Sequence, residues 1–579
     1  MTRDIQNLKI SEATVQNWKR LDKNLEQACF FKRANKTQSR KKIIPKEYIN
    51  LDSEIDLILD EIDFDRPIET TINSLILKYL LDLKLLHKTD KSFYSKNRYI
   101  TDFINTFGQD YYQINFDFNA YFCVDLLGYI YQQLKYEGEK NISGSYYTPA
   151  SIVHKMIKGL DLKDKKICDP CCGSGGFLNE IAKTKSVKPE NIYGYDIDKI
   201  AVKIMKCNLF AIFKDEIFEP NIYCADFLKI SNNIKFDLII TNPPWGAYIE
   251  DRLNDFKEIK SKESFSYFIY QSIQNTNKKE GRLCFLLPES FLNVRTHRDI
   301  RKYIVKNTAI CKIEYFKKPF NGVLTDAVSI ELAFTLKNQI TITQNSNEHK
   351  ITYNRYETEK DYIFSLYDDE KNSILNKIEQ VDCFKLTNSK FALGIVTGNN
   401  KKLVLDHEVK DSMPIYTGKE IKKYIADKPK KFILYNKEKF QQVASDKYYF
   451  APEKLIYKFI SNKKLIFSYD NKKTLVLNSA NILIPVNTPV NIKALCVLLN
   501  SNVLNFYFRN KINQIKTLKY DLQNLPIPNI NTKTEQLFED FIDGKVKDES
   551  KIQCAIYSLY GFSNEEIKMI EKDLQNGKT

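Results

Sequence analysis

Long apolar runs are missing from this sequence of 579 residues. No uninterrupted run approaches the roughly 18 apolar residues that a membrane-spanning helix requires. The amino-terminal stretch MTRDIQNLKISEATVQNWKR also lacks the apolar segment that follows the basic residues of a secretory signal. These two absences predict a soluble protein of the cytoplasm.

Paired cysteine and histidine ligands at zinc spacing are missing as well. Most of the 12 cysteines stand in apolar stretches, where a thiol behaves as a small hydrophobic side chain of a reducing compartment. Cys168, Cys171 and Cys172 are close in sequence, but no second pair of ligands at zinc spacing is near them. We therefore expect no metal site.

Positive charge and aromatic residues are abundant by contrast. Aromatic residues make up 13% and hydrophobic residues 43% of the chain, which is typical of a globular protein of several domains. Because 88 Lys and Arg face 73 Asp and Glu, the formal net charge is +15, and such an excess favours contact with phosphates. A lysine-rich, AT-biased genome would produce the same excess, so charge alone does not establish a nucleic-acid partner.

The pattern of the sequence changes four times along the chain. The predicted segments are a mainly helical region at 1–130, an α/β domain at 131–340, a polar connector at 341–385, an α+β domain at 386–530 and a helical tail at 531–579. Within the first segment, residues 7–21 resemble a helix-turn-helix, although a plain amphipathic helix that buries Val15 and Trp18 explains the same letters.

The fold class follows from the alternation over residues 131–340. Short apolar runs separated by helical stretches are typical of an α/β, Rossmann-like, doubly wound sheet with helices on both faces. The last two runs, CKIEYF and DAVSIELAF, are separated by too few residues for a crossover helix. We therefore predict that these two strands form an antiparallel hairpin.

A glycine loop follows the first predicted strand. Residues 169–177 read Asp-Pro-Cys-Cys-Gly-Ser-Gly-Gly-Phe and stand between the run KKIC and a helical stretch. Glycines such as Gly173 and Gly175 let a ligand approach the backbone closely, and the helix that follows offers unpaired N–H groups. Strand, glycine loop and helix in this order predict a cofactor site.

Acidic residues end the next two predicted strands. The carboxylate of Asp196, beside Ile197, stands where it can accept both hydroxyls of a ribose. Asp226 and Phe227 follow the third strand and suit the amine and the flat face of an adenine, although Asp226 could instead cap a helix and do nothing more. The pattern predicts a ligand that contains adenosine. A nicotinamide cofactor also fits a glycine loop followed by a ribose-binding acid.

The segment Asn242–Trp245, Asn-Pro-Pro-Trp, decides between these cofactors. It directly follows the strand FDLIIT. Two successive prolines have fixed φ and no N–H, so the Pro243 carbonyl and the Asn242 amide oxygen can both face one amine. Accepting both hydrogens of an adenine N6 favours a pyramidal nitrogen that attacks a methyl sulfonium in line. Trp245 adds a flat face on which an extruded base can stack.

These motifs, preceded by the Tyr-Tyr-Thr-Pro segment at 146–149, resemble the DNA amino-methyltransferases, specifically the gamma class of N6-adenine methylases. The resemblance spans about residues 120–530 and continues in Leu286–Asn293, Gly394–Lys401 and Leu525–Pro528. Trp245 replaces the commoner Tyr or Phe, and Cys171 stands where a small residue is usual, but both keep the physical role.

The resemblance implies a role for each matching residue. The residues implied to bind S-adenosyl-L-methionine are Tyr147, Thr148, Pro149, Asp169, Gly173, Gly175, Asp196, Ile197, Asp226 and Phe227. The residues implied to hold the target adenine are Asn242, Pro243, Pro244, Trp245 and Phe320. Phe320 stands where the family places an aromatic ring on the far side of the adenine, although it could also be plain core.

The resemblance further implies a site-specific, adenine-specific methyltransferase that flips its base out of double-stranded DNA and protects the host in a restriction-modification system. The catalytic domain would lie at 131–340 and the target-recognition domain at 386–530. The restriction endonuclease would act on the same site without forming a stable complex. A relation to ClaI-type methylases, which modify ATCGAT, is a further hypothesis.

Four alternatives are weighed against this interpretation. Cytosine N4-methylases usually carry Ser before Pro-Pro. Because this chain has Asn242 at that position, adenine is the favoured target base. Methylases of protein glutamine or RNA guanine are generally shorter than this chain. A fused nuclease would need an acidic Glu-x-Lys cluster, which the first 130 residues do not show. A catalytically silent DNA-binding protein would not need an intact Asp196.

Overall fold

The computed structural model of this chain describes residues 62, 65–90, 92–118, 125–134, 148–230, 234–246, 256, 258–320, 325–335, 338–344 and 346–575. The chain forms two compact units, which divide between Leu366 and Tyr367. The predicted helix-turn-helix at 7–21 lies outside the described residues.

The first unit consists of helices and one large sheet. Its described α-helices are α1 (Ile68–Asp82), α2 (Arg98–Asn105), α3 (Leu126–Leu134), α4 (Ala150–Ile157), α5 (Gly176–Lys183), α6 (Lys199–Ile212), α7 (Ser264–Asn275), α8 (Arg298–Asn307) and α9 (Arg355–Thr358). Its described strands are β1 (His87–Lys88), β2 (Phe93–Tyr94), β3 (Ile167–Asp169), β4 (Ile192–Asp196), β5 (Asn221–Cys224), β6 (Leu238–Thr241), β7 (Arg282–Pro288), β8 (Ala309–Phe316), β9 (Ala327–Ala333), β10 (Gln339–Gln344) and β11 (Asn347–Thr352).

Nine of these strands form one sheet in the order β11-β10-β8-β9-β7-β6-β3-β4-β5. The strands from β7 to β5 are parallel to one another, whereas β9 runs antiparallel to both of its neighbours, β7 and β8. The predicted hairpin of CKIEYF and DAVSIELAF is therefore confirmed. Strand order reverses between β3 and β6, and ligands of such sheets bind at this switch point, beyond the carboxyl ends of the strands.

Helices cover both faces of the sheet because its central strands are apolar on both sides. In β6, Leu238 and Ile240 face one core and Ile239 faces the other. In β3, Ile167 and Cys168 divide in the same way. Successive side chains of a strand point to opposite faces, so a run of apolar residues requires two covering layers. The predicted α/β, doubly wound class is confirmed.

This unit extends beyond the predicted α/β segment at 131–340 on both sides. The helices of the predicted amino-terminal region, such as α1 and α3, share a single core with α5 and α6. They are therefore part of the sheet-containing unit, because their apolar faces are buried against it. The predicted connector at 341–385 contains most of β10 and all of β11, which extend the sheet. Its residues up to Leu366 belong to this unit, and those from Tyr367 onward belong to the second.

The second unit is described from Tyr367 onward. Its described helices are α10 (Asp369–Gln380), α11 (Asn400–Leu403), α12 (Asp446–Tyr449), α13 (Ile492–Leu499), α14 (Asn502–Tyr507), α15 (Lys519–Gln523), α16 (Thr532–Ile542), α17 (Glu549–Leu559) and α18 (Asn564–Gln575). Its described strands are β12 (Cys383–Phe384), β13 (Lys390–Leu393), β14 (Val404–Leu405), β15 (Met413–Tyr416), β16 (Tyr424–Ile425), β17 (Lys431–Ile433), β18 (Lys454–Lys458), β19 (Phe467–Asp470), β20 (Leu475–Val476), β21 (Ala480–Ile484) and β22 (Ile527–Pro528).

The strands of the second unit form small sheets, as an α+β domain requires. A five-stranded sheet has the order β13-β21-β18-β19-β16, and a four-stranded sheet has the order β14-β17-β15-β20. Helices α16, α17 and α18 bury Phe538, Ile556 and Ile570 in the same core as α13 and α14. The predicted tail at 531–579 is therefore an integral layer of this unit rather than an appendage.

Within the described residues, no helix combines the length and the apolarity that crossing a membrane would require.

Candidate active site

The sequence motifs meet at the switch point of the sheet. Asp169 ends β3, Asp196 ends β4 and Thr241 ends β6, and β3 lies between the other two strands. The loop after β3 is joined directly to the end of β4, because the Cys172 N–H donates to the Tyr195 carbonyl over 2.9 Å. The folded sheet thus brings together motifs that are more than 70 residues apart in sequence.

The glycine loop adopts a backbone that only glycine tolerates well. Gly173 has φ +51° and Gly175 has φ +104°, both in the region that L side chains rarely occupy. A β-carbon on Gly175 would lie 2.0 Å from the Met205 sulfur, whereas one on Gly173 would meet nothing within 4 Å. Gly173 therefore borders open space, and Gly175 packs the loop onto α6.

Asp169 is buried at the base of this loop. Its side chain is 1% exposed and accepts a hydrogen bond of 3.0 Å from the Cys171 N–H. Burial raises the pKa of the Asp169 carboxyl to about 7, and the nearby negative charge of Asp196 adds to the effect. A carboxyl that titrates near neutrality is characteristic of functional sites.

The acidic loop after β4 is held by backbone donors. Asp196 accepts from the Gly173 N–H and from the Asp198 N–H, each over 2.8 Å. Ile197 lies between the two acids and is 78% exposed. An exposed isoleucine beside an oriented carboxylate offers one apolar face and one acceptor to the same ligand.

The residues after β5 are arranged differently from the sequence-based expectation. Asp226 caps the short helix Phe227–Lys229 by accepting from the Leu228 N–H over 3.0 Å. The Phe227 ring is 1% exposed and packs in the core between Tyr195 and Phe268. The adenine contacts of Asp226 and Phe227 stay predictions, and Ile197 supplies the exposed apolar side chain at this edge of the sheet.

Asn242 carries a buried acceptor with no partner among the described residues. Its Nδ2 donates to the Thr148 hydroxyl over 3.1 Å, while its Oδ1 has none. A buried polar atom without a hydrogen bond is rare and is destabilising by about 1–3 kcal/mol. The arrangement holds an acceptor ready for a donor supplied by a ligand.

The Pro-Pro-Trp residues after Asn242 are fastened from several sides. The Ser264 hydroxyl donates to the Pro244 carbonyl over 2.6 Å, and the Trp245 indole N–H donates to the Leu286 carbonyl over 3.3 Å. Trp245 meets Phe320 edge to face, with ring centroids 5.2 Å apart and an interplanar angle of 83°. The structure therefore brings Phe320 to the Asn-Pro-Pro-Trp segment, as the sequence predicted, although its ring is 3% exposed.

Several supporting residues were not predicted from the sequence. Ser264 is 1% exposed, and Glu263 accepts from the Gly246 N–H over 3.1 Å. Burial raises the pKa of Glu263. Neither residue stands in a recognisable motif. Their partners, Pro244 and Gly246, are about 20 residues away in sequence, so no local pattern indicates the contacts. Tyr147 lies outside the described residues, so its predicted role stays a prediction.

We expect Thr148→Val to lower kcat about tenfold. The substitution keeps the shape of the side chain and removes the acceptor for Asn242 Nδ2, so that the amide is free to turn its oxygen away. One net hydrogen bond is worth about 1 kcal/mol, close to a tenfold change in rate. The measurement is kcat, at saturating cofactor and DNA, for the methyl transfer that the family resemblance implies. Thr308→Val is the matched control, since Thr308 is equally buried and its hydroxyl donates within α8 and its cap.

No group of three or more metal-ligating His, Cys, Asp or Glu side chains comes together in the part of the chain that the structure describes.

Two family models match the sequence. The N-6 DNA Methylase family matches residues 123–361, which include the large sheet and all the residues above. The TaqI-like C-terminal specificity domain matches residues 413–527, which lie in the second unit. The two matches follow the division of the chain into units.

Two relatives of this chain are named as type II methyltransferases. The chain is 35% identical over 306 residues to the type II methyltransferase M.VspI of Vibrio sp. (strain 343), a match that covers 50% of this chain and 74% of that protein. It is 27% identical over 290 residues to the type II methyltransferase M.AccI of Acinetobacter calcoaceticus, with 44% of this chain and 52% of that protein covered.

Solved structures share the fold. The type IIL restriction-modification enzyme MmeI, solved in complex with DNA, matches with a TM-score of 0.54 at 14% identity and covers 78% of this chain and 81% of its own. The type ISP restriction-modification enzyme LlaGI, solved with a DNA substrate mimic, matches with a TM-score of 0.50 at 13% identity over 94% of this chain and 68% of its own. At such low identity these likenesses show the fold alone.

The fold, the motif order at its switch point and the similarity to M.VspI agree. The chain belongs to the N-6 DNA methylases, within the type II methyltransferases of restriction-modification systems, and its methyl donor is S-adenosylmethionine.

Proposed function

We propose that this protein is a site-specific, adenine-specific DNA methyltransferase that modifies N6 of an adenine flipped out of double-stranded DNA. The observation that carries the proposal is the buried Asn242 Oδ1, which has no partner among the described residues while its amide nitrogen is held by Thr148. An acceptor prepared in this way suits an amine donor. Adenine N6 is such a donor, and it is exposed to a protein pocket only after base flipping.

The residues of the site suit the cofactor. S-Adenosylmethionine, when bound, supplies a methyl group made electrophilic by its positively charged sulfur. Gly173 borders open space, so a ligand can lie against its backbone. Asp196 would bind the ribose hydroxyls, and Ile197 would cover one face of the adenine ring. Asp169 would bind the amino-acid end, where a carboxylate attracts an ammonium group.

Asn242 would act on the nucleophile. Its Oδ1 and the Pro243 carbonyl would accept the two hydrogens of the target N6, which draws the nitrogen lone pair out of the ring and toward the methyl group. As the bond between N6 and the methyl group forms, the methyl–sulfur bond would break with its electron pair remaining on sulfur, and N6 would release one proton to solvent after the attack. Two carbonyl acceptors hold the amine in place, so no general base is required before the methyl transfer. The Trp245 and Phe320 rings, which meet edge to face, would hold the base itself.

Cofactor affinity should depend on pH through Asp169. Its pKa is about 7 because the carboxyl is buried, so the group is neutral below pH 7 and ionised above it. Since only the ionised form attracts a cationic ligand, we expect affinity to rise as the pH increases through 7 and to fall about tenfold per pH unit below it. Calorimetric titration of S-adenosylmethionine between about pH 5.5 and 8.5 measures this. Asp169→Asn should bind more weakly and lose the dependence; a variant that keeps the same slope would assign it to another group.

The second unit would read the DNA sequence. It contains the match to a specificity domain at 413–527, and we propose that the target-recognition domain is the predicted segment at 386–530, with the catalytic domain before it. The net charge of +15 suits a DNA partner. With DNA as its substrate, the enzyme would act in the bacterial cytoplasm on the nucleoid, and its restriction endonuclease would share the target without a stable complex. The ClaI-type subgroup stays a hypothesis.

The test is incorporation of tritiated methyl groups from S-adenosylmethionine into unmethylated plasmid DNA, followed by digestion to nucleosides and chromatography. We expect label in N6-methyladenine. Label in N4-methylcytosine would overturn the choice of base, and label found only in RNA or protein offered in parallel would overturn the choice of substrate.

A further inference from the structure

Helix α3 precedes the motifs of the methyltransferase family and reaches both cofactor loops. Its apolar side chains, including Leu127 and Ile130, are at most 1% exposed and lie in the core beneath those loops. Two polar side chains of this region, Asp125 just before the helix and Tyr131 within it, are 6% and 4% exposed. A polar group at such depth requires partners to offset its desolvation.

Asp125 binds the glycine loop. Its Oδ2 accepts from the Ser174 hydroxyl over 2.9 Å, and its Oδ1 accepts from Asn208 Nδ2 over 2.8 Å and from the Gly128 N–H over 3.0 Å. Asn208 Nδ2 also donates to the Ser174 carbonyl over 3.1 Å. Asp125 therefore holds the side chain of Ser174 and Asn208 holds its backbone carbonyl, one residue before Gly175.

Tyr131 binds the acidic loop. Its hydroxyl lies 2.9 Å and 2.7 Å from the two carboxylate oxygens of Asp198, to which it donates. Asp198 caps α6 through the Ile200 and Ala201 N–H groups, and its own N–H donates to Asp196 Oδ1. Tyr131 is thus linked through Asp198 to Asp196, the carboxylate assigned to the ribose.

Gly128 shows how tightly α3 approaches the glycine loop. A β-carbon at this position would lie 2.3 Å from both the Asp125 carboxylate and the Ser174 hydroxyl, which is closer than any non-bonded contact allows. Gly128 has no positive φ that would require glycine. The absence of a side chain is therefore explained by the hydrogen bond that passes across it.

We propose that Asp125 and Tyr131 are positioning residues of the S-adenosylmethionine site: from helix α3 and the residue just before it, they hold the glycine loop and the acidic loop in the relative position at which both can bind the cofactor. The inference rests on the proposed function. Each would act through another residue, Asp125 through Ser174 and Tyr131 through Asp198. The Gly173 N–H also donates to the Asp196 carboxylate. The two loops are therefore bonded to each other as well as to the region of α3.

The test compares two nearly isosteric variants of the full chain, Tyr131→Phe and Asp125→Asn. Equilibrium binding of S-adenosylhomocysteine is measured by calorimetry, and KM for S-adenosylmethionine and kcat are measured separately. A hydrogen bond to a charged group is worth enough to weaken binding about tenfold or more. We expect the dissociation constant and KM to rise together by that factor, with a smaller change in kcat.

Tyr353→Phe is the matched control. Tyr353 is also buried in the first unit, and its hydroxyl donates to the Thr308 carbonyl over 3.0 Å, away from the cofactor loops. We expect it to lower thermal stability as much as Tyr131→Phe does and to leave binding unchanged. If Tyr131→Phe does not fold, as judged by circular dichroism, Asp125→Asn decides.

The outcomes separate this proposal from the proposed function. Wild-type protein that binds and uses the cofactor, together with folded variants that bind it equally well, would overturn the role of α3 alone. Wild-type protein that binds no S-adenosylhomocysteine would overturn both proposals. Variants that bind as weakly as expected, beside an unaffected Tyr353→Phe, would support the positioning role against a purely structural one.

Discussion

Asn242→Ala should lower kcat for adenine methylation by about 10²- to 10³-fold, the effect of removing one preorganised polar contact from a reacting group. The substitution deletes the buried Oδ1 that has no partner among the described residues, together with the Nδ2 that Thr148 holds. Because the proposed mechanism uses this acceptor for the target base alone, affinity for S-adenosylmethionine should change little. The measurement is kcat with labelled cofactor, alongside calorimetric cofactor binding.

Asn275→Ala is the control for this prediction. Asn275 is fully buried, its Nδ2 donates to the Gln271 carbonyl over 3.0 Å, and its Oδ1 also has no partner among the described residues. Both asparagines have a buried Oδ1 with no partner among the described residues, but Asn275 ends α7. We expect its loss to affect stability without a specific loss of methylation. Equal kcat losses in the two variants at equal folded fractions would remove Asn242 from the mechanism.

Gly175→Ala should lower thermal stability and weaken cofactor binding together. The new methyl group would meet the Met205 sulfur at 2.0 Å and Asn179 Oδ1 at 2.8 Å, on a backbone with φ +104°. Backbone strain and overpacking each cost about 1–3 kcal/mol, so a fall in Tm of about 5 °C or more is expected. Relief of the clash would move the loop away from α6, and affinity for S-adenosylmethionine should fall about tenfold or more.

Gly159→Ala separates the two contributions. Gly159 also has a positive φ, +82°, but a β-carbon there would meet nothing within 4 Å. It should therefore show the backbone strain alone, with a smaller loss of stability and normal cofactor affinity. Differential scanning calorimetry and cofactor titration of both variants make the comparison. A Gly175→Ala protein no less stable than Gly159→Ala would mean that Met205 yields without disturbing the loop.

The parts of the fold that were correctly predicted are those with a local signal. The alternation of short apolar runs and helical stretches predicted the doubly wound sheet, since a strand buried on both faces must be apolar throughout. The short segment between CKIEYF and DAVSIELAF predicted their antiparallel pairing, because chain length limits the connections that can form. The site motifs are local in the same sense, each lying at the end of one strand.

The features of the fold that the sequence did not indicate depend on contacts between distant segments. The polar composition of residues 341–385 suggested a connector, yet β10 and β11 complete the edge of the sheet, where one exposed face permits polar residues. The sequence indicated helical segments at both ends without indicating what they pack against. Their apolar faces are buried in the cores of the two units. Hydrophobic periodicity predicts that a helix buries one face, but it does not indicate which segment covers that face.

Residue type and spacing alone identify the motifs, their order and the chemistry that Asn242, Pro243 and the acidic strand ends can perform, because they set which donors and acceptors stand after each strand. The orientation of these groups depends on the folded chain. Thr148 holds the Asn242 amide from 94 residues away, and Phe227 turns into the core while Ile197 faces outward. Such partners are chosen by packing across the sheet, for which a single sequence carries no local signal.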